Sequence, residues 1–184
     1  MTRSFVPLPA VVTFLLFSLC APTAQGLVME LLPLQELTRR VDLVVRGRVV
    51  SQSAAREAPG KDIWTTTTLR VVQTLKGPSV PETLRFRQIG GTVDGVTEMI
   101  PGDAAFRPGE EVIVFLARTP RGLVLYGFSQ GKFTVRFDPV IGARVVDRDL
   151  SHAGLVSRDG SLPRYAPARL DDFVAEVQSY AAPR

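Results

Sequence analysis

The chain has 184 residues, 45% of them hydrophobic, and a formal net charge of +4 at pH 7. This length and apolar content are sufficient for one domain with its own core. The single cysteine, Cys20, lies near the N-terminus, which excludes a disulfide framework and a thiolate metal or redox site from the rest of the chain. The arginines are spread along the chain, which indicates a solvated surface first and an anion-binding surface second.

Residues 1–26 have the three parts of an export signal. Arg3 precedes an apolar stretch, 10–19, that is too short to span a membrane as a helix, and small residues follow it. We expect cleavage near Gly26 and a periplasmic or extracellular protein. In residues 27–184 no apolar run reaches the length of a transmembrane helix, so none is expected there.

Cys20 requires separate consideration, because a bacterial lipoprotein keeps a lipidated cysteine at its new N-terminus. Such a site carries a small residue immediately before the cysteine, and here that residue is Leu19. We therefore expect Cys20 to be removed with the signal and not to be lipidated.

The predicted elements begin with a short helix. Leu31, Leu34, Leu37 and Val41 recur at helical spacing and predict a helix that ends near Arg40. Beyond it the apolar period changes to two, which is typical of strands. The predicted strands are 42–52, 63–75, 82–89, 111–118, 123–128 and 132–137, with shorter ones near 96–100 and 143–147.

The chain closes with an amphipathic helix predicted at about 168–181. Its apolar stripe has the spacing i, i+3, i+4 and i+7 and consists of Leu170, Phe173, Val174 and Val177. Five or six short strands between Gly- and Pro-rich turns predict a mainly β fold, a small OB-like barrel flanked by the two helices. Residues 27–184 are predicted to form one domain.

Residues 127–131, Gly-Phe-Ser-Gln-Gly, match the G-x-S-x-G of the α/β-hydrolase nucleophile elbow. Asp147, Asp149 and the only histidine, His152, follow in the chain order of that catalytic triad. The elbow requires a helix after its serine, whereas the residues after Ser129 have the period of a strand. We therefore expect a glycine-bounded hairpin turn at Ser129 and rank a serine hydrolase last among the functions considered.

Other polar residues give no catalytic or metal site. His152 lies in a polar loop and is expected to be a surface residue. Asp147 and Asp149 offer too few carboxylates for a calcium site. Glu110 and Glu111 are neighbours at the start of a strand and should point to opposite faces, which makes them a poor acid–base pair. No cofactor, metal or catalytic residue is predicted.

Five arginines form the predicted binding residues, on the strands over 42–52, 63–75 and 82–89. They are Arg46, Arg48, Arg70, Arg85 and Arg87. If these strands are neighbours, the guanidinium groups line one wall that binds an anionic glycan or a lipid headgroup. Solubilising charge on outward faces is the alternative interpretation.

Nucleic acid is not expected as a partner. Binding of single strands uses aromatic residues on which bases stack, and only Trp64 and Phe86 are available on these strands. Phe86 alternates with the arginines and is expected to point inward. An exported protein also rarely meets nucleic acid.

Most of residues 27–184 is covered by segments with turn glycines, one buried strand and a closing helix: VDLVVRGRVVS, TLRVVQTLKG, RQIGG, PGDAAFRPGEEVIVFLAR, GFSQGKFTV and LDDFVAEV. Together they resemble a group of exported bacterial proteins of unassigned function. The resemblance implies an exported β-rich domain without a particular activity.

The opening strand is also similar to the first barrel strand of inhibitors of the tissue-inhibitor-of-metalloproteinase type. Those inhibitors chelate zinc through an N-terminal cysteine, and residues 27–184 contain no cysteine. The similarity therefore implies an OB-type barrel without zinc-chelating inhibition.

The predicted function is an exported, non-catalytic binding or interaction module. The first hypothesis is a protein partner in the cell envelope, such as a co-exported protease, because no active-site constellation is found. The alternative is a ligand-binding barrel for an anionic glycan or lipid headgroup. A small serine hydrolase that uses Ser129 is the last hypothesis.

Overall fold

The structure, a computed structural model, describes residues 29–150, 155–156 and 166–182. The predicted export signal with Cys20, and also His152, lie outside the described residues. Neither helix of the described part is long and apolar enough to cross a membrane.

Twelve strands and two α-helices make up the described chain. The strands are β1 (Met29–Glu30), β2 (Leu43–Arg56), β3 (Ile63–Lys76), β4 (Thr83–Ile89), β5 (Gly91–Val93), β6 (Val96–Glu98), β7 (Glu111–Thr119), β8 (Gly122–Leu125), β9 (Lys132–Asp138), β10 (Ala143–Asp147), β11 (Leu155–Val156) and β12 (Ala168–Arg169). The helices are α1 (Leu34–Arg40) and α2 (Leu170–Ala181), and a 3₁₀ turn covers Phe128–Gly131.

Five of these strands close into a ring. β2 pairs antiparallel with β3 and β7, and β3 pairs antiparallel with β4. β8 completes the ring, because it runs antiparallel to β7 and parallel to β4. With the ring strands renumbered one to five, the order around the ring is 1-2-3-5-4-1. The predicted mainly β, OB-like barrel with two flanking helices is thus confirmed.

Two apolar cores lie on opposite sides of the sheet, and β7 contributes to both. Val112, Val114 and Leu116 point into the barrel, whereas Ile113 and Phe115 point outward against the helices. All five are fully buried. The nearly continuous apolar run of this strand therefore reflects burial on both faces.

The outer core is closed by the two helices and by a sheet extension formed by β9, β10 and β12. Leu170, Phe173 and Val177 of α2 are buried there, and Val174 packs at its edge. The predicted stripe of the C-terminal helix is confirmed. From α1, Leu37 is buried in the same core.

The G-x-S-x-G segment joins β8 to β9, but these strands do not pair with each other. Both pair with the same edge of β7, β8 at residues 116–119 and β9 at residues 111–114. The predicted hairpin is therefore wrong, although the predicted strand–turn–strand order is present. The chain turns from β8 into β9 at Gly127 (φ 72°) and Phe128 (φ 56°), whose backbones are left-handed.

Candidate functional site: a pocket at the closing seam of the barrel

A cavity of about 400 Å³ lies where β8 meets β4. This volume is within the range of small-molecule sites, roughly 300–1,000 Å³. The cavity is lined by residues of β3, β4, β8, the end of β7, the turns that flank β8 and the connection between β6 and β7: Trp64, Arg87, Gln88, Ile89, Asp103, Thr119, Pro120, Arg121, Val124, Leu125 and Phe128. On an OB barrel, the second and third strands and the loop between the fourth and fifth are the surface that binds ligands.

One apolar wall of the pocket follows from strand alternation. Ile63 and Phe86 are buried, so strand alternation places Trp64, next to Ile63, and Ile89, three residues after Phe86, on outward positions of β3 and β4. Trp64 and Ile89 are directly opposite each other in the antiparallel register and form this wall together. Val124 of β8 lies on the other side of the seam.

Phe128 enters the pocket because of the turn that carries it. Its φ of 56° is rare for a residue with a large side chain. The turn is anchored by a hydrogen bond of 2.8 Å from the backbone N–H of Ser129 to the carbonyl of Gly102. Gly131 must be a glycine, because a Cβ atom there would overlap with the backbone of Tyr126. The motif therefore places an aromatic ring on the pocket wall.

Two arginines and one glutamate form the rim of the pocket. Glu57 Oε1 accepts a hydrogen bond of 2.8 Å from Arg87 Nη2, and Glu57 Oε2 lies 3.3 Å from Arg121 Nη1. The guanidinium of Arg87 also lies over the indole of Trp64, 4.7 Å from the ring centroid. Both arginines line the cavity, whereas Glu57 stands outside it.

The inner end of the pocket is polar and fixed by hydrogen bonds. Gln88 Nε2 donates to Asp103 Oδ2 and to the carbonyl of Ala104, both at 2.8 Å. Burial raises the pKa of Asp103, and the hydrogen bonds from Ala104 N–H and Gln88 oppose that shift. The buried Nε1 of Trp64 and Oε1 of Gln88 have no hydrogen-bond partner in the described part of the chain. Both residues therefore have hydrogen-bonding capacity left beside the cavity.

The predicted arginine wall lies on neighbouring strands, as expected, but it is not uniformly cationic. Arg46 Nε is 2.7 Å from Glu111 Oε1, and Arg48 Nη2 is 3.5 Å from Glu111 Oε2. Arg144, which was not among the predicted residues, binds the same carboxylate at 2.5 Å. Two of the five predicted binding residues are thus held by one glutamate.

The other three predicted arginines are divided between the pocket and the outer barrel wall. Arg87 is at the pocket rim and is paired with Glu57. Arg70 and Arg85 are exposed, and within the described ranges neither has an ion-pair partner. Phe86 is buried in the barrel interior, which confirms its predicted orientation.

Ser129 is buried, and its hydroxyl has no hydrogen-bond partner among residues 29–150, 155–156 and 166–182. Asp147 is an acceptor for Arg136 and for the Arg148 backbone N–H. Glu110 binds Lys132 at 2.8 Å, whereas Glu111 binds arginines, so the two neighbouring glutamates have different ion-pair partners. In the same described ranges, no group of three or more His, Cys, Asp or Glu residues is placed to hold a metal ion.

No protein-family model matches the chain, and a search of the curated proteins finds no match to its sequence.

Sequence reasoning missed the pocket, although one signal for it was present. Trp64 and Ile89 are large apolar residues on outward positions of strands whose other outward residues are mostly threonine and arginine. An outward tryptophan opposite an outward isoleucine indicates a surface that binds an apolar group.

Proposed function

We propose that the protein is an exported, non-catalytic binding barrel that takes the apolar part of a small amphipathic molecule into the pocket at the β4–β8 seam. The supporting observation is the cavity of about 400 Å³ with Trp64, Ile89, Val124 and Phe128 in its lining. Burial of an apolar chain there removes it from water and contributes roughly 25 cal/mol per Å² of buried apolar surface. The predicted ligand classes were an anionic glycan and a lipid headgroup, whereas this lining suits the apolar part of a lipid.

The test uses Trp64, which is the only tryptophan in the chain and lies on the pocket wall. We expect a saturable change in its fluorescence when the protein is titrated with decanol below the solubility limit of the alcohol. Binding should also raise the midpoint of thermal unfolding, because the ligand stabilises only the folded state.

A variant and its matched control locate the site. Val124→Gln places a longer polar group in the cavity and should abolish the fluorescence change. Val72→Gln makes the same substitution at an exposed valine, 55% accessible, that does not line the cavity, and should leave binding intact. If decanol gives neither a saturable signal nor a higher unfolding midpoint, or if Val124→Gln binds like the wild type, the proposal is wrong.

The predicted protein partner is a second candidate, and one observation favours it. The end of β9 and the turn that follows it expose three apolar residues, Phe137 at 64%, Val140 at 94% and Ile141 at 47%. An exported protein with a complementary apolar surface would cover this tip. A protein that copurifies stoichiometrically from the envelope fraction should be lost when all three residues are changed to serine. Retention by that variant would contradict this second function.

A further inference from the structure

We infer that the pocket ligand is an amphipathic monocarboxylate, whose carboxylate replaces that of Glu57 on Arg87 and Arg121. This inference rests on the proposed function and names the chemical class of ligand for the same pocket.

The rim already shows that it accepts a carboxylate. The two oxygens of Glu57 bind two guanidinium groups from different parts of the chain, at 2.8 Å for Arg87 and 3.3 Å for Arg121. Arg87 is on β4, whereas Arg121 is on the turn between β7 and β8. Planar guanidinium groups match carboxylates in geometry and keep further N–H donors available. Since both arginines line the cavity, a ligand can reach them from inside.

Exchange of one carboxylate for another costs little at this position. Glu57 is on the loop after β2 and its side chain is 34% exposed, whereas those of its partners Arg121 and Arg87 are 64% and 26% exposed. Exposed ion pairs typically contribute only about 0.2–1 kcal/mol, so their loss is a small penalty. After the exchange both arginines remain paired, and the released Glu57 is solvated.

The charge and lining of the pocket define the rest of the ligand. Two guanidinium groups at the rim repel a cationic headgroup. The aromatic and aliphatic residues behind them, Trp64, Ile89 and Phe128, favour an unbranched or cyclic hydrocarbon over a polyol. Arg87 and Arg121 together form one clamp, which binds one carboxylate. A ligand with one acidic headgroup on an apolar body therefore fits the pocket.

A different role for Glu57 makes the opposite prediction. If Glu57 served to hold the two arginines in place for the ligand, its removal would weaken carboxylate binding. If Glu57 competes with the ligand, its removal strengthens carboxylate binding. The substitution Glu57→Gln therefore distinguishes the two roles.

The experiment compares three probes with the same chain, decanoate, decanol and decyltrimethylammonium, each below its micellar or solubility limit. Affinities are measured by isothermal calorimetry and by Trp64 fluorescence. We expect decanoate to bind roughly tenfold more tightly than decanol, because a charge-assisted clamp adds about 1.4 kcal/mol. The ammonium probe should bind more weakly than decanol.

Two variants test the clamp itself. Glu57→Gln should raise the affinity for decanoate roughly threefold or more and leave decanol unchanged. Arg121→Gln should reduce the affinity for decanoate to that for decanol. Glu82→Gln and Arg118→Gln are the matched controls, because both residues are exposed and lie outside the cavity lining, and they should change nothing.

The outcomes separate this inference from the proposed function. If decanol binds but decanoate binds no more tightly, or if Glu57→Gln lowers or does not change the affinity for decanoate, the inference is overturned and the binding barrel stands. If no probe binds to the wild type, the proposed function itself fails.

Discussion

Two glutamates of this protein each hold more than one arginine, and they differ in burial. Glu111 is 11% exposed and binds Arg46, Arg48 and Arg144 at the start of β7. Glu57 is 34% exposed and binds Arg87 and Arg121 from a loop. The chemical groups are identical, but the first cluster joins paired strands of the sheet beside a polar surface hollow, whereas the second borders the apolar-walled cavity at the seam.

We expect this difference in burial to separate a structural ion-pair cluster from one whose carboxylate a ligand can replace. Burial raises the pKa of Glu111, but the hydrogen bonds and charges of Arg144 and Arg46 outweigh it and hold that pKa below its ordinary value. A partly buried carboxylate of this kind cannot be replaced by water without leaving arginines unpaired. We expect Glu57 to leave its arginines for solvent more readily, as a ligand that competes with it requires.

The largest expected effect comes from the substitution Glu111→Gln. The glutamine keeps the shape but loses the charge that binds three arginines, of which Arg46 is only 16% exposed. We expect the free energy of unfolding to fall by about 2–3 kcal/mol. Urea denaturation measures this loss. Glu57→Gln is the matched control and should lower the free energy of unfolding by about 0.5 kcal/mol or less. Equal losses in the two variants would remove the distinction between the clusters.

The acid stability of the protein sharpens the same comparison. Because the pKa of Glu111 is lowered by folding, its contribution is fully present above the ordinary glutamate pKa and is lost as the pH falls through the lowered value. Below about pH 4.3 the free energy of unfolding of the wild type should therefore approach that of Glu111→Gln. Denaturant titrations of both proteins from pH 7 to pH 3 measure how far the difference between their free energies of unfolding decreases. A constant difference across that range would contradict the stated role of the glutamate charge.

Asp103 extends the comparison to a carboxylate without an ion-pair partner among the described residues. Its pKa is raised mainly by burial, so protonation of Asp103 is more favourable in the folded than in the unfolded state. Its contribution to stability is greatest below the ordinary aspartate pKa and is lost as the pH rises through the raised value. Relative to the wild type, Asp103→Asn should become more stable as the pH rises from acid to neutral. Thermal unfolding at several pH values tests this, and the opposite trend would contradict it.

The smallest effect is expected at the pocket rim. A double-mutant cycle with Glu57→Gln and Arg121→Gln should give a coupling free energy below about 1 kcal/mol, because the pair is exposed. The variants Arg70→Gln and Arg85→Gln, at unpaired outer positions, should lie within about 0.5 kcal/mol of the wild type. A coupling of several kcal/mol would mean that Glu57 is as fixed as Glu111 and not free to exchange.

The barrel was predictable from the sequence because strand alternation is a local signal. The run of apolar residues over 111–118 and the helical stripe from Leu170 to Val177 identified the elements that now share the outer core. The hairpin at Ser129 was not predicted correctly, because a turn between consecutive strands gives no information on which neighbour each strand pairs with. That pairing depends on β7, whose edge accepts both strands in succession.

The candidate site was only partly predictable. Arg87 was identified, but as part of a wall, because its partner Glu57 follows β2 and Arg121 precedes β8. Arg121 lies near Arg87 and Glu57 because β8 pairs with β4, a contact between segments far apart in sequence. Glu111 likewise comes beside Arg48 only through the β2–β7 register.

The closing seam of the barrel has a consequence for motion. β8 joins β4 in parallel through one registered pair, Arg87 with Val124, whereas β3 and β4 are paired over residues 64–70 and 83–89. Amide hydrogens at the seam should therefore exchange with deuterium faster than those elsewhere in the ring, since fewer contacts must open together. Both residues of the pair line the pocket. The strand pairing that opens most readily would then also be the route by which a ligand enters the pocket. A bound ligand should therefore slow amide hydrogen exchange first at the β4–β8 seam.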